Sequence, residues 1–339
     1  MKWLIGTTAL LAVPAYAQTT PLFAGDAPIR VKIQGPVGAI ARGSEDSTKP
    51  REATLTLAGA PEAYPIRLSA RGITRRLKDT CSFPPLRVEF AQRPPASSLF
   101  AGQGRLKLVT HCRQPEGFQQ HLLLEYSGYR VFNLLSPASY RARLATVDYA
   151  EPNGKVAATR WGFFLEEIGD TARRIGMTEA HVGDRISATQ LEPRQAARMA
   201  LFEYMIGNLD WSMRAGPQGE GCCHNSRLVT GAGGPLVPIP YDFDYSGLVD
   251  APYAVPPEGF SIQRVTTRVY QGYCRFNPEA LAAAADFRAQ RPAIEAIYSQ
   301  IPGLAERTRA KALGYLGTFF EQIATDQSVQ TKILKNCVG

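Results

Sequence analysis

Gln119-Gln120-His121-Leu122-Leu123-Leu124-Glu125-Tyr126-Ser127-Gly128-Tyr129-Arg130-Val131-Phe132-Asn133-Leu134-Leu135 is where the hydrophobic period of this chain changes. Leu122, Leu123, Tyr126, Tyr129, Phe132 and Leu135 fall mainly at three- and four-residue spacings, which predicts a helix over Gln119–Leu135 with one apolar face. Pro137 ends it, because proline lacks the N–H a helix needs. Upstream the period is two. Ile29–Ile33, Glu52–Leu57, Tyr64–Ala70, Leu86–Phe90 and Arg105–Val109 alternate apolar and polar residues as half-exposed strands do, and Gly59-Ala60-Pro61 reads as a turn. This first part reads as mostly antiparallel sheet.

Downstream, Arg141–Tyr149 and Arg160–Glu166 read as a hairpin around Pro152-Asn153-Gly154. A short helix starts at Asp170. Pro193–Met205 is a stronger one, with proline in a favoured first-turn position and Gly207 as its breaker. Pro278–Gln290, Arg291–Ile301 and Leu304–Asp326 read as three closing helices. A strand-rich half with one helix followed by a helical half is an α+β arrangement of two lobes, 18–165 and 166–339, with a cleft between them for a site.

The 339 residues include 45% hydrophobic and 20% charged side chains, enough for a sizeable core and unlike a disordered or fibrous chain. Lys2, an apolar run from Trp3 to Val13 and an Ala15-Tyr16-Ala17 cleavage pattern read as a signal peptide over 1–17. Its removal leaves a charge of about +7, from +8. No dense Lys/Arg run supports nucleic-acid binding, and no second run of about 18 apolar residues supports a membrane span in the mature chain. Export to the periplasm or beyond makes Cys81, Cys112, Cys222, Cys223, Cys274 and Cys337 candidates for disulfides, with fifteen connectivities open. Cys222-Cys223-His224 lacks the spacing of a zinc site.

The chemistry concentrates between Ile206 and Leu248. Asn208, Asp210, Asn225, Asp242 and Asp244 are acids and amides set among apolar residues, where they cost free energy unless something pairs with them. Acid, amide and acid together suit Mg²⁺, which takes few carboxylates plus phosphate oxygens and water. A phosphoryl-transfer site also needs positive charge on the donor phosphates. Lys107, oriented by Glu125 eighteen residues on, is the candidate, with Asp210 beside the nucleophile.

Asn208-Leu209-Asp210-Trp211, His224-Asn225 and Ile239-Pro240-Tyr241-Asp242-Phe243-Asp244, with Arg71-Gly72, Leu106-Lys107-Leu108 and Glu125 in order before them, resemble the core of the spore-coat CotH-type kinases. The likeness spans roughly residues 64–250. It implies a two-lobed, protein-kinase-like fold, ATP and Mg²⁺ as cofactors, and a protein Ser or other hydroxyl as acceptor. Carried over by position, Lys107, Glu125 and Arg71 would hold the nucleotide. Asp210 would act on the acceptor, and Asn225, Asp242 and Asp244 would hold the metal.

Two other readings stand beside this. Asp242-x-Asp244-x-Ser246-Gly247-x-x-Asp250 matches the early positions of a calcium loop but has Tyr253 where Glu is needed, which points to a structural Ca²⁺ site in a non-catalytic binding or scaffold protein. A degenerate kinase-like protein that binds without catalysing fits the same residues. The segment Tyr253–Arg275 reads as a Pro-rich loop and basic aromatic strip packed under the site.

Overall fold

The computed structural model describes residues 19–339, so the expected signal peptide 1–17 lies outside the described residues. The chain runs through α1 (Pro21–Ala24), β1 (Ile29–Gln34), α2 (Val37–Arg42), β2 (Arg51–Leu57), β3 (Ala63–Ala70), β4 (Leu86–Phe90), β5 (Arg105–Val109), α3 (Gln119–Leu135), β6 (Ala142–Ala150) and β7 (Val156–Leu165). It continues through α4 (Ile168–Arg174), β8 (Thr178–Glu179), α5 (Pro193–Ile206), β9 (Ser226–Thr230), β10 (Val237–Pro240), α6 (Asn277–Gln300), α7 (Glu306–Gln322) and α8 (Asp326–Lys332).

β1 to β7 form a closed barrel in the order β1-β2-β3-β4-β5-β7-β6. Neighbours are antiparallel except β1 and β6, whose parallel pairing from Ile29↔Ala145 to Gln34↔Ala150 shuts the ring. Closure leaves no unpaired strand edge in this sheet. The α+β content matches expectation, but the two-lobed, protein-kinase-like arrangement does not: the strands form a mixed closed barrel, with helices beside it. The reason is a pairing between strands 116 positions apart in register, which alternation along either strand does not encode.

Side chains pointing inward, among them Val31, Ile33, Leu55, Leu68, Val88, Leu106 and Phe164, fill the barrel. The opposite face of β6 and β7 carries Leu144, Phe163 and Leu165, which belong instead to the helical core with α3, α5 and α6. Each such buried Phe or Leu is worth about 1.5–3 kcal/mol, so this shared wall holds barrel and helices together. The Asn153-Gly154 turn is present, with Gly154 at φ +85°, but β7 starts at Val156, ahead of the expected Arg160.

In place of two helices, α6 is continuous through Pro292. Ala283, Ala284 and Phe287 before the proline and Ile294, Ile297 and Tyr298 after it are buried, and packing on α3 and α5 outweighs the lost backbone bond. The expected last helix, Leu304–Asp326, is α7 over Glu306–Gln322, and a further helix, α8, follows it, capped by Thr325 Oγ1 accepting from Ser328 N–H. Among the described residues no helix is long and apolar enough to cross a membrane. Disulfides join Cys81 to Cys112, Cys222 to Cys223 and Cys274 to Cys337.

Gly128 on α3 lets the Phe243 ring approach, since a Cβ there would lie 2.8 Å from Phe243 Cδ2. Gly to Ala inside a helix ordinarily gains about 1 kcal/mol. Here overpacking should win, and Gly128→Ala should lose about 1–2 kcal/mol in a denaturant titration. A gain in stability would mean that Phe243 is not held against the helix.

Candidate functional site

α5 delivers the first site residue. Glu192 caps its start, accepting from the N–H groups of Arg194 and Gln195, and Gly207 ends it at φ +66°, a left-handed conformation glycine adopts without strain. Asn208 then turns the loop: its Oδ1 accepts from Asp210 N–H at 3.1 Å. The Asp210 carboxylate is held from two sides. His224 Nε2 lies 2.7 Å from Oδ1, and Asn225 Nδ2 donates to Oδ2 at 3.0 Å. The bonded Asp210 carboxylate raises the half-exposed His224 above its usual range.

β10 delivers the second group. After Pro240 the chain leaves the strand, and Asp242 sits at φ +67°; Asn225, just before β9, is at φ +46°. Non-glycine residues in this region cost about 1–3 kcal/mol and recur at functional sites. Asp242 donates its backbone N–H to Tyr129 Oη at 2.9 Å, while no protein N–H reaches its carboxylate among the described residues. Asp244 is buried and accepts from Tyr253 Oη at 2.8 Å.

Beneath them lies Arg75, also buried. Its Nη1 donates to Glu125 Oε2 at 3.0 Å and stands 3.8 Å from Asp244 Oδ2, and its Nη2 donates to Thr110 O at 3.0 Å. Burial opposes the charge on Arg75, but the fields of Tyr253, Glu125, Asp244 and Asp242 outweigh it and raise the guanidinium further above its usual value. Burial pushes Asp244 above the carboxylate range, Asp242 pushes it further, and Arg75 only partly offsets them. Glu125 is raised by burial likewise, against the pull of Arg75. Three acids around one arginine leave an excess of negative charge.

Arg71, Asp210, Asn225, Asp242 and Asp244 line one cavity of about 270 Å³, joined by Arg75, His224 and Arg227. Five of the seven residues singled out in the sequence thus line a common cavity, and Lys107 and Glu125 do not. The Lys107–Glu125 pair is corrected: Glu125 belongs to Arg75, and Lys107 Nζ lies 5.7 and 5.8 Å from the ring centroids of Tyr241 and Tyr140. Burial lowers Lys107 to about 8; Glu167 and Asp242 pull it up, and Arg71 and Arg227 push it down. Arg71, Arg227 and Lys107 make no salt bridge to a carboxylate among the described residues.

Arg75, His224 and Arg227 were absent from the sequence-derived site. Arg75 stands four residues after Arg71 in a basic cluster, and His224 adjoins Asn225, so both had a local signal. Arg227, on β9, had none.

Among the described residues no three His, Cys, Asp or Glu side chains form a ready cage for a metal ion. The calcium-loop set does not converge either. Asp250 Oδ2 accepts from Lys311 Nζ at 2.7 Å, and Asp244 is taken by Tyr253 and Arg75. What remains is the Asp242 carboxylate with Asn225 Oδ1, which suits Mg²⁺ completed by ligand oxygens and water better than Ca²⁺ with six to eight protein oxygens. The sequence matches no family model and no curated protein.

Truncating one member of a buried ion pair leaves the other uncompensated, at about 3–5 kcal/mol. Arg75→Met should lose stability on that scale in a denaturant titration, and adding Glu125→Leu should restore part of it. Additive losses in the double variant would show that the two side chains do not depend on each other.

Proposed function

We propose that this chain binds a divalent cation with a phosphorylated ligand in the Asp210–Asp242 cavity and transfers a phosphoryl group from a nucleotide to a hydroxyl. The observation that carries this reading is that one cavity is lined both by an acid–amide set, Asp210, Asn225 and Asp242, and by the cationic side chains of Arg71 and Arg227. Motif order, similar to that of the CotH-type kinases, supports the same chemistry from the site rather than from the fold. The three disulfides support a periplasmic or secreted chain.

Each side chain then has a task. Asp242 and Asn225 Oδ1 would hold Mg²⁺, which when bound neutralises phosphate oxygens. Arg71 and Arg227 would meet the remaining negative charge, with Arg227 and Lys107 both near the Tyr241 ring. Asp210, fixed by His224 and Asn225, would take the proton of the acceptor hydroxyl. It also borders a small apolar crevice with Leu209, Val255 and Val265. Arg75 and Glu125 touch no substrate in this scheme; they position Asp244 and the loop that carries Asp242.

Calorimetry with ATP and Mg²⁺ tests the assignment. Asp242→Ala should abolish magnesium-dependent binding while the protein stays folded; equal heats for variant and wild type would remove Asp242 from the site. Asp210→Asn should keep binding and reduce transfer to a hydroxyl acceptor by about 10²–10⁴.

Lys107 gives the reading a pH dependence. An anion favours the protonated amine, so binding takes up a proton wherever the free site has lost it. Affinity should fall as the pH rises through about 8, and Lys107→Met should flatten that slope. A slope unchanged by Lys107→Met would separate Lys107 from the ligand.

A further inference from the structure

Resting on that reading, we propose that the cavity recognises the phosphoanhydride chain itself, so that inorganic pyrophosphate or tripolyphosphate occupies it as a nucleotide does and serves as donor. Three observations converge. The first is charge. Arg71 and Arg227 line the cavity and Lys107 stands over the ring of Tyr241, which also lines it; all three are partly buried and none is in a carboxylate salt bridge among the described residues. Burial depresses Lys107, Arg71 and Arg227 depress it further, and a polyanion offsets both effects.

The second observation is size. About 270 Å³ lies just below the range of about 300–1,000 Å³ typical of pockets for drug-sized ligands. A chain of two or three phosphates with its cation fits that space. A nucleoside attached to it would extend past the rim, where Ile73 is 75% exposed.

The third is the mixed lining. Asp242 and Asn225 line the same cavity as Arg71 and Arg227, so a phosphate chain neutralised by a divalent cation meets groups complementary to both the anion and the cation. The bond changes are those of an ordinary displacement. The acceptor oxygen forms a bond to the terminal phosphorus, the bridging P–O bond breaks, and its electron pair leaves with the remaining phosphate. The acceptor proton passes to Asp210.

The experiment is calorimetry on the full mature chain with the magnesium complexes of tripolyphosphate, ATP and GTP, and with AMP. Tripolyphosphate, ATP and GTP should bind with affinities within about threefold of one another, and AMP at least about tenfold more weakly. Arg227→Met should weaken the first three by a common factor. ATP binding more than about threefold tighter than tripolyphosphate or GTP would overturn the inference and leave the phosphotransfer reading standing. Binding of none of the four would overturn both. Transfer is read separately, by release of orthophosphate from pyrophosphate in the presence of a polyol acceptor. Release that Asp210→Asn leaves unchanged would overturn the donor role.

Discussion

The buried guanidinium of Arg75 is the interaction on which the site depends. It binds Glu125 on α3, the carbonyl of Thr110 just after β5, and the field of Asp244 in the loop after β10. Those three segments come from the barrel, the helical core and the site loop. An arginine buried without acids would be very costly, and acids buried without it would be neutral. The pairing is incomplete, however: one positive charge faces three carboxylates. Asp244 and Glu125 answer by holding protons more tightly than exposed acids do. A divalent cation at Asp242 would add positive charge beside the same cluster, so its binding and the ionisation of Asp244 are linked.

Local pattern was legible and long-range pairing was not. Strands β4 and β5 and helix α3 lie where alternation and the 3.6-residue period put them, with matching ends. The barrel was missed because β1 carries no sign of which strand it will meet; its alternation fits a parallel partner as well as an antiparallel one. The same limit explains Lys107. A lysine on a strand followed by a glutamate on a helix was read as a pair, yet both are neighbours of something the chain brings from elsewhere: Tyr241 for one and Arg75 for the other. Asp210, Asn225 and Asp242 were legible for a different reason. Polar residues that interrupt apolar sequence need a partner wherever they fall, and that need is visible without the fold.

Arg75 went unrecognised because buried arginines look like exposed ones in sequence. Its segment, Thr74–Arg76, is a single helical turn between strands and would carry little stability alone. The Cys81–Cys112 disulfide, together with the backbone bond from Phe83 N–H to Cys112 O, ties the following residues to the end of β5. That staple limits how far Arg75 can move from Thr110 and Glu125, so a covalent link outside the cavity sets the position of a charge inside it.

The second wall is organised by different means. Asn225 and Asp242 occupy left-handed backbone conformations, which among non-glycine residues Asn and Asp tolerate best. What holds them is local: Tyr241 N–H donates to Asn225 O at 3.1 Å, Tyr129 Oη accepts from Asp242 N–H, and the Phe243 ring packs on Tyr129 and Phe202. Tyr129 sits one helical turn beyond Glu125 on α3, so the same helix supports the backbone of Asp242 and, through Arg75, the charge of Asp244. A displacement of α3 would therefore disturb Asp242 and Asp244 together. The position of Asp242 in the cavity is set in part by how α3 packs against the site loop. Gly128, one residue before Tyr129, is where that packing is closest.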